Sequence, residues 1–247
     1  MQLSCLRTPD QWRSALARHH AVAKISSLEG VNQITHGRYF WPLEPDHPGN
    51  DFDIEFIAHV LAGERRWAGV TMDINGDPSD YSVAQHCVHL ADIVNLNRAT
   101  LLSDVDWSGE VAPTLYGLLH DASEAYLRDV PRPIKAKLGD YYAVEAALMR
   151  KIISVFKVPM SAAVQNAVRK VDDMMIFLER DALVGKPCVP YTNENDHPGI
   201  SIHSVVPEFY VWDAKTAKRK FLEKFEEITT TGGNHIPLNY LNRGYLL

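Results

Sequence analysis

The chain has 247 residues, which is enough for one sizeable hydrophobic core and makes two full domains less expected. Hydrophobic residues make up 46% and charged residues 23%, as in an ordinary soluble globular protein. The net charge of −6 and the lack of a dense Lys/Arg run argue against duplex nucleic acid as the main partner, whereas a small anionic substrate stays compatible with a few local cations.

Three further features set the expected environment of the protein. The three cysteines are scattered and include no CxxC pair, so neither a disulfide framework nor a zinc knuckle is expected. The first residues lack a charged start followed by an apolar run, so no signal peptide is expected. No apolar stretch approaches the roughly 20 residues of a membrane-spanning helix, which makes the cytoplasm the expected location, with no membrane partner.

The first 80 residues mix helical and irregular patterns. Thr8 and Pro9 predict the start of an N-terminal helix. Residues 31–50 carry prolines and glycines around a short aromatic run, which predicts a brief β-like segment or hairpin followed by a loop. A second helix is predicted from Asp53 to Gly63, and a polar connection with turn signals follows it.

The third predicted helix begins after Ser82, which forms a capping-box pattern with Gln85. Its apolar stripe consists of Val83, Cys87, Leu90 and Val94. His86 lies about 60° from the centre of that stripe at 100° per residue, so it is expected to border the core. His89 falls about 120° away and is expected to face solvent.

The remaining pattern is also helical. A fourth helix is predicted to start near Pro113 and to run through Tyr126 until the prolines of RDVPRPIK break it. Further helices are predicted at 141–157, 163–184 and 213–228, with a loop-like segment at 185–212 and an extended tail after the last helix. The predicted fold class is therefore mostly all-α, as a helical bundle with a short irregular or β-like N-terminal lead.

Three of these helices each bring a histidine or an aspartate near a core edge. His86, the adjacent pair His120 and Asp121, and Asp172 form a mixed nitrogen and oxygen set of the kind that suits a divalent transition metal. Asp172 lies roughly 80° from the centre of its apolar stripe and needs a partner there, whereas Asp173 is expected to be a solvated surface charge. Ordinary hydrogen bonds are the alternative for a single core-edge histidine such as His86.

The segments YSVAQHCV, LLHDASEAYLRDVPRPIK and VRKVDDMM resemble the HD-domain metal-dependent phosphohydrolases. They look most like the bacterial 5'-deoxynucleotidases and a related group of phage and prophage HD proteins. The upstream segment THGRYFWPLEPDHPGNDFDIEFIAHVLAGERRWAG is similar to the lead of that phage group. The resemblance covers roughly residues 34–184. Together with the chain length it predicts one domain over 1–247, with an HD core at about 51–184, an N-terminal lead at 1–50 and a C-terminal elaboration at 185–247.

The resemblance also implies roles for the residues of the site. Its metal ligands are His86, His120, Asp121 and Asp172. Glu124 and Asp129 are implied as catalytic groups beside the metal, Glu124 to activate or orient the attacking water and Asp129 near the sugar or leaving group. The structural alternative for Glu124 is an i,i+4 salt bridge to Arg128.

A substrate-binding pair is implied at Arg66 and Trp67, because deoxynucleotidases carry an Arg-Trp pair that meets the phosphate and the sugar. Arg grips a phosphate through two donors, and Trp offers a flat apolar wall. Arg65 competes for the phosphate role. Lys135 can also reach a phosphate, and a surface role is its alternative.

The expected function is hydrolysis of the 5'-phosphate of a deoxynucleoside monophosphate with a divalent ion, and the sequence leaves Mn, Co, Mg, Fe, Ni and Zn open. One alternative is a dNTP phosphohydrolase or triphosphohydrolase that shapes the dNTP pool. Another is a nucleotide-binding module with a vestigial metal site. The resemblance leaves a homo-oligomer open, because related proteins are often dimers or larger.

Overall fold

The computed structural model describes residues 31–34, 38–102, 112–185 and 210–231. The predicted N-terminal helix, most of the loop-like segment 185–212 and the tail after residue 231 lie outside these ranges. Within them, no helix is both long enough and apolar enough to cross a membrane.

The lead contains a minimal hairpin. β1 (Asn32–Gln33) pairs antiparallel with β2 (Tyr39–Phe40), so the predicted β-like segment is confirmed. Phe40 is fully buried and stacks on Tyr126 with 4.1 Å between ring centroids. The aromatic run therefore anchors the lead to the helical core.

Most of the rest of the described chain is helical, which confirms the mostly all-α prediction. A 3-10 helix (Trp67–Gly69) accompanies nine α-helices among the described residues: α1 (Ile54–Gly63), α2 (Val83–Leu96), α3 (Arg98–Leu101), α4 (Ala112–Leu119), α5 (Glu124–Leu127), α6 (Arg132–Lys135), α7 (Tyr141–Val155), α8 (Ala162–Leu183) and α9 (Ala214–Thr231).

Side-chain caps explain where three of these helices begin. Asp53 accepts from the backbone N–H of Glu55 at the start of α1, and Ser161 caps α8 in the same manner. Ser82 accepts from the N–H of Gln85 at 3.2 Å and caps α2. Each cap satisfies a backbone donor that the first helical turn leaves unpaired.

Helix α2 is the central element and packs against α1, α4, α8 and α9. Gly117 permits its close approach to α4, because a Cβ at this position would lie 3.0 Å from the side chain of Leu90 and 3.5 Å from the Cα of Ala91. Two clusters of buried apolar side chains share α2, one toward α1, α4 and α9 and one toward α8. The predicted stripe of α2 is fully buried.

The fourth helix is shorter than predicted, and this changes the setting of the His-Asp pair. It ends at Leu119, a turn occupies residues 120–123, and α5 begins at Glu124. His120 and Asp121 therefore lie in a break between two helices. The break at RDVPRPIK is also incomplete, because Pro133 fits the first turn of the four-residue helix α6.

Contacts with the C-terminal region correct two details of the α2 prediction. Gln85 does not complete the capping box, because its amide donates to the carbonyl of Tyr210 and accepts from the N–H of Trp212. His89 was expected to face solvent but is only 8% exposed, since Trp212 packs edge-on against it at 5.0 Å between ring centroids. Burial lowers the pKa of His89 to about 4.

Candidate metal centre

Two helices and the turn after a third bring the predicted ligands close together. His86 lies on α2, His120 and Asp121 lie in the turn after α4, and Asp172 lies on α8. The Nε2 atoms of His86 and His120 are 3.3 Å apart. Asp121 Oδ2 lies 3.2 Å from His120 Nε2, and Asp172 Oδ1 lies 3.2 Å from His86 Nε2.

The outer nitrogen of each histidine is already engaged. His86 Nδ1 lies 2.6 Å from Glu179 Oε1, and His120 Nδ1 lies 2.8 Å from the carbonyl oxygen of Gly117. Because both partners are acceptors, each Nδ1 carries the proton and donates it. With the Nδ1 proton engaged in this way, each Nε2 faces the other ring and the two aspartates, where it can bind either a metal ion or a second proton.

This arrangement fits a divalent cation. Ligand atoms about 2.1 Å from a metal lie about 3 Å apart when adjacent and about 4.2 Å apart when opposite. One ligand atom each from His86, His120 and Asp121 lies within 4.8 Å of the others, and Asp172 Oδ1 is 3.2 and 3.9 Å from the two Nε2 atoms. Four converging acceptors repel one another unless a cation or protons lie among them.

The close packing of these side chains shifts the pKa values of the two aspartates. Burial would raise the pKa of Asp121, but the charge and hydrogen bond of His120 hold it well below its usual range. Burial likewise opposes ionisation of Asp172, and the hydrogen bond from His86 with the charges of His120 and Arg66 lowers its pKa. Both aspartates are therefore carboxylates at neutral pH, as metal ligation requires.

Glu179 is a central residue of the site that the sequence pattern did not single out. It is fully buried on α8, two turns beyond Asp172, and burial is outweighed by Arg66 and His86, which lower its pKa to about 2. Besides His86, its oxygens accept from Tyr81 at 2.9 Å, Arg66 Nε at 2.9 Å and Trp67 Nε1 at 2.8 Å. A helix places residues i and i+7 on one face, so its spacing from Asp172 was the available signal.

The geometry distinguishes the two candidate arginines. Arg66 is directed into the cluster, with Nη1 3.6 Å from Asp121 and Nη2 3.4 Å from Asp172. Arg65 is more than half exposed and pairs with Asp80 instead. Arg66 rather than Arg65 therefore places its guanidinium beside the predicted ligands.

Asp173 is partly exposed, as predicted for a surface charge, and it is also ion-paired. It accepts from Arg132 Nη1 at 2.8 Å, while Nη2 of the same guanidinium lies 2.6 Å from Asp172 Oδ2. Arg132 was not predicted as a site residue. The sequence feature that could have indicated it is its position between the two prolines at the start of α6. It holds the second oxygen of Asp172 and stays more than half exposed.

The two predicted catalytic carboxyls, Glu124 and Asp129, both lie close enough to Asp121 to feel its charge. Glu124 is 5% exposed, and its Oε2 has no hydrogen-bond partner among the described residues. Burial, Asp121 and Asp129 raise its pKa to about 9. A divalent cation at the ligands would offset the charge of Asp121 and favour ionisation of Glu124. Burial also raises the pKa of Asp129, although Arg66 opposes it.

The contacts of the described residues bear on the structural alternatives for Glu124 and Lys135. Arg128 pairs with Glu64 at 2.7 Å rather than with Glu124. Lys135 is not a surface residue, because its side chain is 11% exposed, and its ammonium lies 2.6 Å from Glu145 and 3.9 Å from Glu124. The Lys135 ammonium, on α6, therefore lies near both Glu145 of α7 and Glu124 of α5.

Comparison with known proteins gives relatives but no function. The chain is 33% identical over 138 residues to an uncharacterized protein of Rhodobacter capsulatus, covering 55% of this chain and 64% of that one. It is 31% identical over 131 residues to the uncharacterized protein YfdR of Escherichia coli, covering 53% and 61%. The chain thus spans about three fifths of the length of these relatives. No protein-family model matches it.

Proposed function

We propose that the protein is a metal-dependent phosphohydrolase that removes the 5'-phosphate of deoxynucleoside monophosphates. The observation that carries this proposal is the convergence of His86, His120, Asp121 and Asp172, whose ligand atoms meet at distances suited to one divalent ion. The resemblance of the three surrounding segments to HD-domain phosphohydrolases supports the same assignment.

The ligand set would hold the ion with positions left for water and a phosphoryl oxygen, and such an ion supplies a hydroxide-like nucleophile at neutral pH. Arg66 lies within 3.6 Å of both aspartates and can place donors on a phosphoryl oxygen beside them. A fixed guanidinium in a partly dry site offsets the negative charge that develops at the phosphate during hydrolysis.

Glu124 is the group proposed to orient the attacking water. Its Oε2 is buried without a hydrogen-bond partner in the described residues, so it is free to bind a water molecule. The backbone N–H of Glu124 donates to the Asp121 carbonyl at 2.9 Å, which ties it closely to the ligands. Asp129 is proposed to lie toward the sugar or the leaving oxygen.

The preference for a deoxynucleoside rests on the resemblance and on the Arg66–Trp67 pair. Trp67 is held by the Nε1 hydrogen bond to Glu179. Its ring is then available as an apolar wall for the sugar. The resemblance does not define a base preference.

Hydrolysis of dNTPs is a second candidate that one observation favours. Arg132 places another guanidinium on Asp172, opposite Arg66, and is more than half exposed. Two guanidinium groups beside the ligands could neutralise more than one phosphate.

The test is phosphate release from a panel of dNMPs, NMPs and dNTPs, with Mn, Co, Mg and Zn supplied separately. Inorganic phosphate from dNMPs alone supports the proposed nucleotidase. Triphosphate or pyrophosphate from a dNTP moves the protein to the second candidate. A bound ion with no product from any nucleotide contradicts both and favours a nucleotide-binding module.

A further inference from the structure

Glu179 forms hydrogen bonds with two different parts of the site. Oε1 accepts from His86 Nδ1 and from Tyr81, and Oε2 accepts from Arg66 Nε and Trp67 Nε1. These partners lie 93 to 113 residues away in the chain, and the carboxylate itself is fully buried.

We infer that Glu179 is a positioning residue that couples metal affinity to phosphate affinity. One of its oxygens orients the metal ligand His86, and the other holds Arg66 and Trp67. The phosphate part of this inference rests on the proposed function, whereas the metal part rests on the ligand cluster alone.

The first half of the argument concerns His86. The bond to Glu179 keeps the imidazole proton on Nδ1, so Nε2 presents its lone pair toward His120 and Asp172. A carboxylate on the outer nitrogen of a ligating histidine fixes both the tautomer and the ring plane. Loss of that acceptor allows the proton to move to Nε2, where it blocks metal binding.

The second half concerns the segment from Arg66 to Gly69. Trp67, Ala68 and Gly69 have positive φ values of 59°, 49° and 76°, a conformation that is costly for the two residues with side chains. The bonds from Arg66 and Trp67 to Glu179 help to hold this turn. The same bonds keep the guanidinium from closing further on Asp121 and Asp172, where it would compete with a cation.

Glu179→Gln tests both halves with little change in volume. The amide nitrogen is a donor, and it must oppose the donors of one pair, either His86 and Tyr81 or Arg66 and Trp67. In the first orientation the His86 tautomer changes, and in the second the arginine is released toward the aspartates. In both cases the variant weakens metal binding, and the displaced arginine also weakens phosphate binding.

The experiment is calorimetric titration of Mn²⁺ into the full-length chain, followed by titration of inorganic phosphate into the Mn²⁺-loaded protein. Asp181→Asn is the matched control, because it makes the same chemical change on α8 at a residue that pairs with Arg180. We expect Glu179→Gln to weaken Mn²⁺ binding about 10- to 100-fold, the usual effect of losing such a partner, and to weaken phosphate binding as well. The control should stay within about twofold for both ligands.

Unchanged Mn²⁺ and phosphate affinities in Glu179→Gln would overturn the inference. A wild-type protein that binds Mn²⁺ but hydrolyses no nucleotide sinks the proposed function, and the Mn²⁺ titrations still decide the role of Glu179. If circular dichroism shows that the variant does not fold, long-range ¹H–¹⁵N spectra of the zinc-loaded wild type decide instead. A proton on His86 Nδ1 supports the inference, and a proton on Nε2 overturns it.

Discussion

The two buried glutamates at the candidate metal centre differ in hydrogen bonding and in pKa. Glu179 accepts four hydrogen bonds, and Arg66 and His86 lower its pKa to about 2. Glu124 has an unpartnered oxygen among the described residues, and burial with two neighbouring aspartates raises its pKa to about 9. Burial opposes ionisation of both carboxyls, so their partners account for the difference.

The difference between Glu179 and Glu124 supports a different proposed role for each residue. A carboxylate with all its acceptor sites used can orient its partners, but it has little capacity left for a substrate or water. A buried carboxyl with an unused oxygen is costly for the fold and is therefore expected where a ligand or a reacting group completes its hydrogen bonding. The contrast therefore supports the proposed positioning role of Glu179 and the proposed catalytic role of Glu124.

Removal of a predicted metal ligand has the largest expected effect, because both Glu179 and Glu124 are proposed to act through the metal site. Asp121→Ala deletes one of the four converging acceptors and the charge nearest His120. We expect phosphate release to fall more than about 10³-fold, because the variant would lose the ion that is proposed to supply the nucleophile. Full activity of this variant in metal-supplemented buffer would contradict the metal scheme. Treatment of the wild type with a chelator should reproduce the loss, and added metal should reverse it.

A substitution of Glu124 alone tests whether its role differs from that of Glu179. Glu124→Gln keeps the shape of the side chain but removes the carboxylate that is proposed to orient water. We expect kcat to fall about 10²- to 10⁴-fold, the range for a lost acid–base group, while Mn²⁺ affinity stays near that of the wild type. A kcat within about threefold of the wild type would show that the unpartnered oxygen has no catalytic role.

The same variant also tests the raised pKa without any substrate. A folded-state pKa near 9 against an ordinary value of 4.5 means that wild-type stability is lost as pH rises through this interval. In metal-free buffer we expect Glu124→Gln to have the higher melting temperature at pH 8, by a few degrees, and we expect the difference to shrink at pH 5. A difference independent of pH would contradict the raised pKa.

Two adjacent arginines offer a matched test of the positioning side. Arg66→Ala removes the guanidinium held by Glu179, and we expect kcat/KM to fall about 10- to 10³-fold through weaker phosphate and transition-state binding. Arg65→Ala should stay within about twofold, because Arg65 pairs with Asp80 away from the cluster. Equal losses in the two variants, measured by steady-state kinetics on dNMPs, would remove the distinction between them.

The smallest effect tests whether Glu124 really lacks an ionic partner on its own helix. Arg128 is two-thirds exposed and pairs with Glu64, not with Glu124. We expect Arg128→Ala to change the free energy of unfolding by less than about 0.5 kcal/mol, as is usual for an exposed ion pair, and to leave kcat near that of the wild type. Denaturant unfolding and steady-state kinetics measure the two quantities. A large loss of kcat would indicate that Arg128 influences the ionisation of Glu124.

The positions of the helices and of the candidate ligands followed from local pattern. Apolar spacing and the Ser82 cap predicted α2, and the angular position of His86 placed it at the core side of that helix. These inferences succeed because the helical repeat and capping act within a few residues of the chain. Motif resemblance, rather than periodicity, was needed to join His86, His120 and Asp172 into one ligand set.

Other features depended on packing between distant segments. His89 is buried because Trp212, more than a hundred residues later, covers the face that periodicity assigned to solvent. The helix that was expected to continue through Tyr126 ends at Leu119, so that His120 and Asp121 lie in a turn. In the sequence, Glu179 is only one of several charged residues on an amphipathic helix. Its four partners come from α2 and the segment before it, which a one-dimensional pattern cannot bring together because hydrogen bonding across a core depends on how the helices pack.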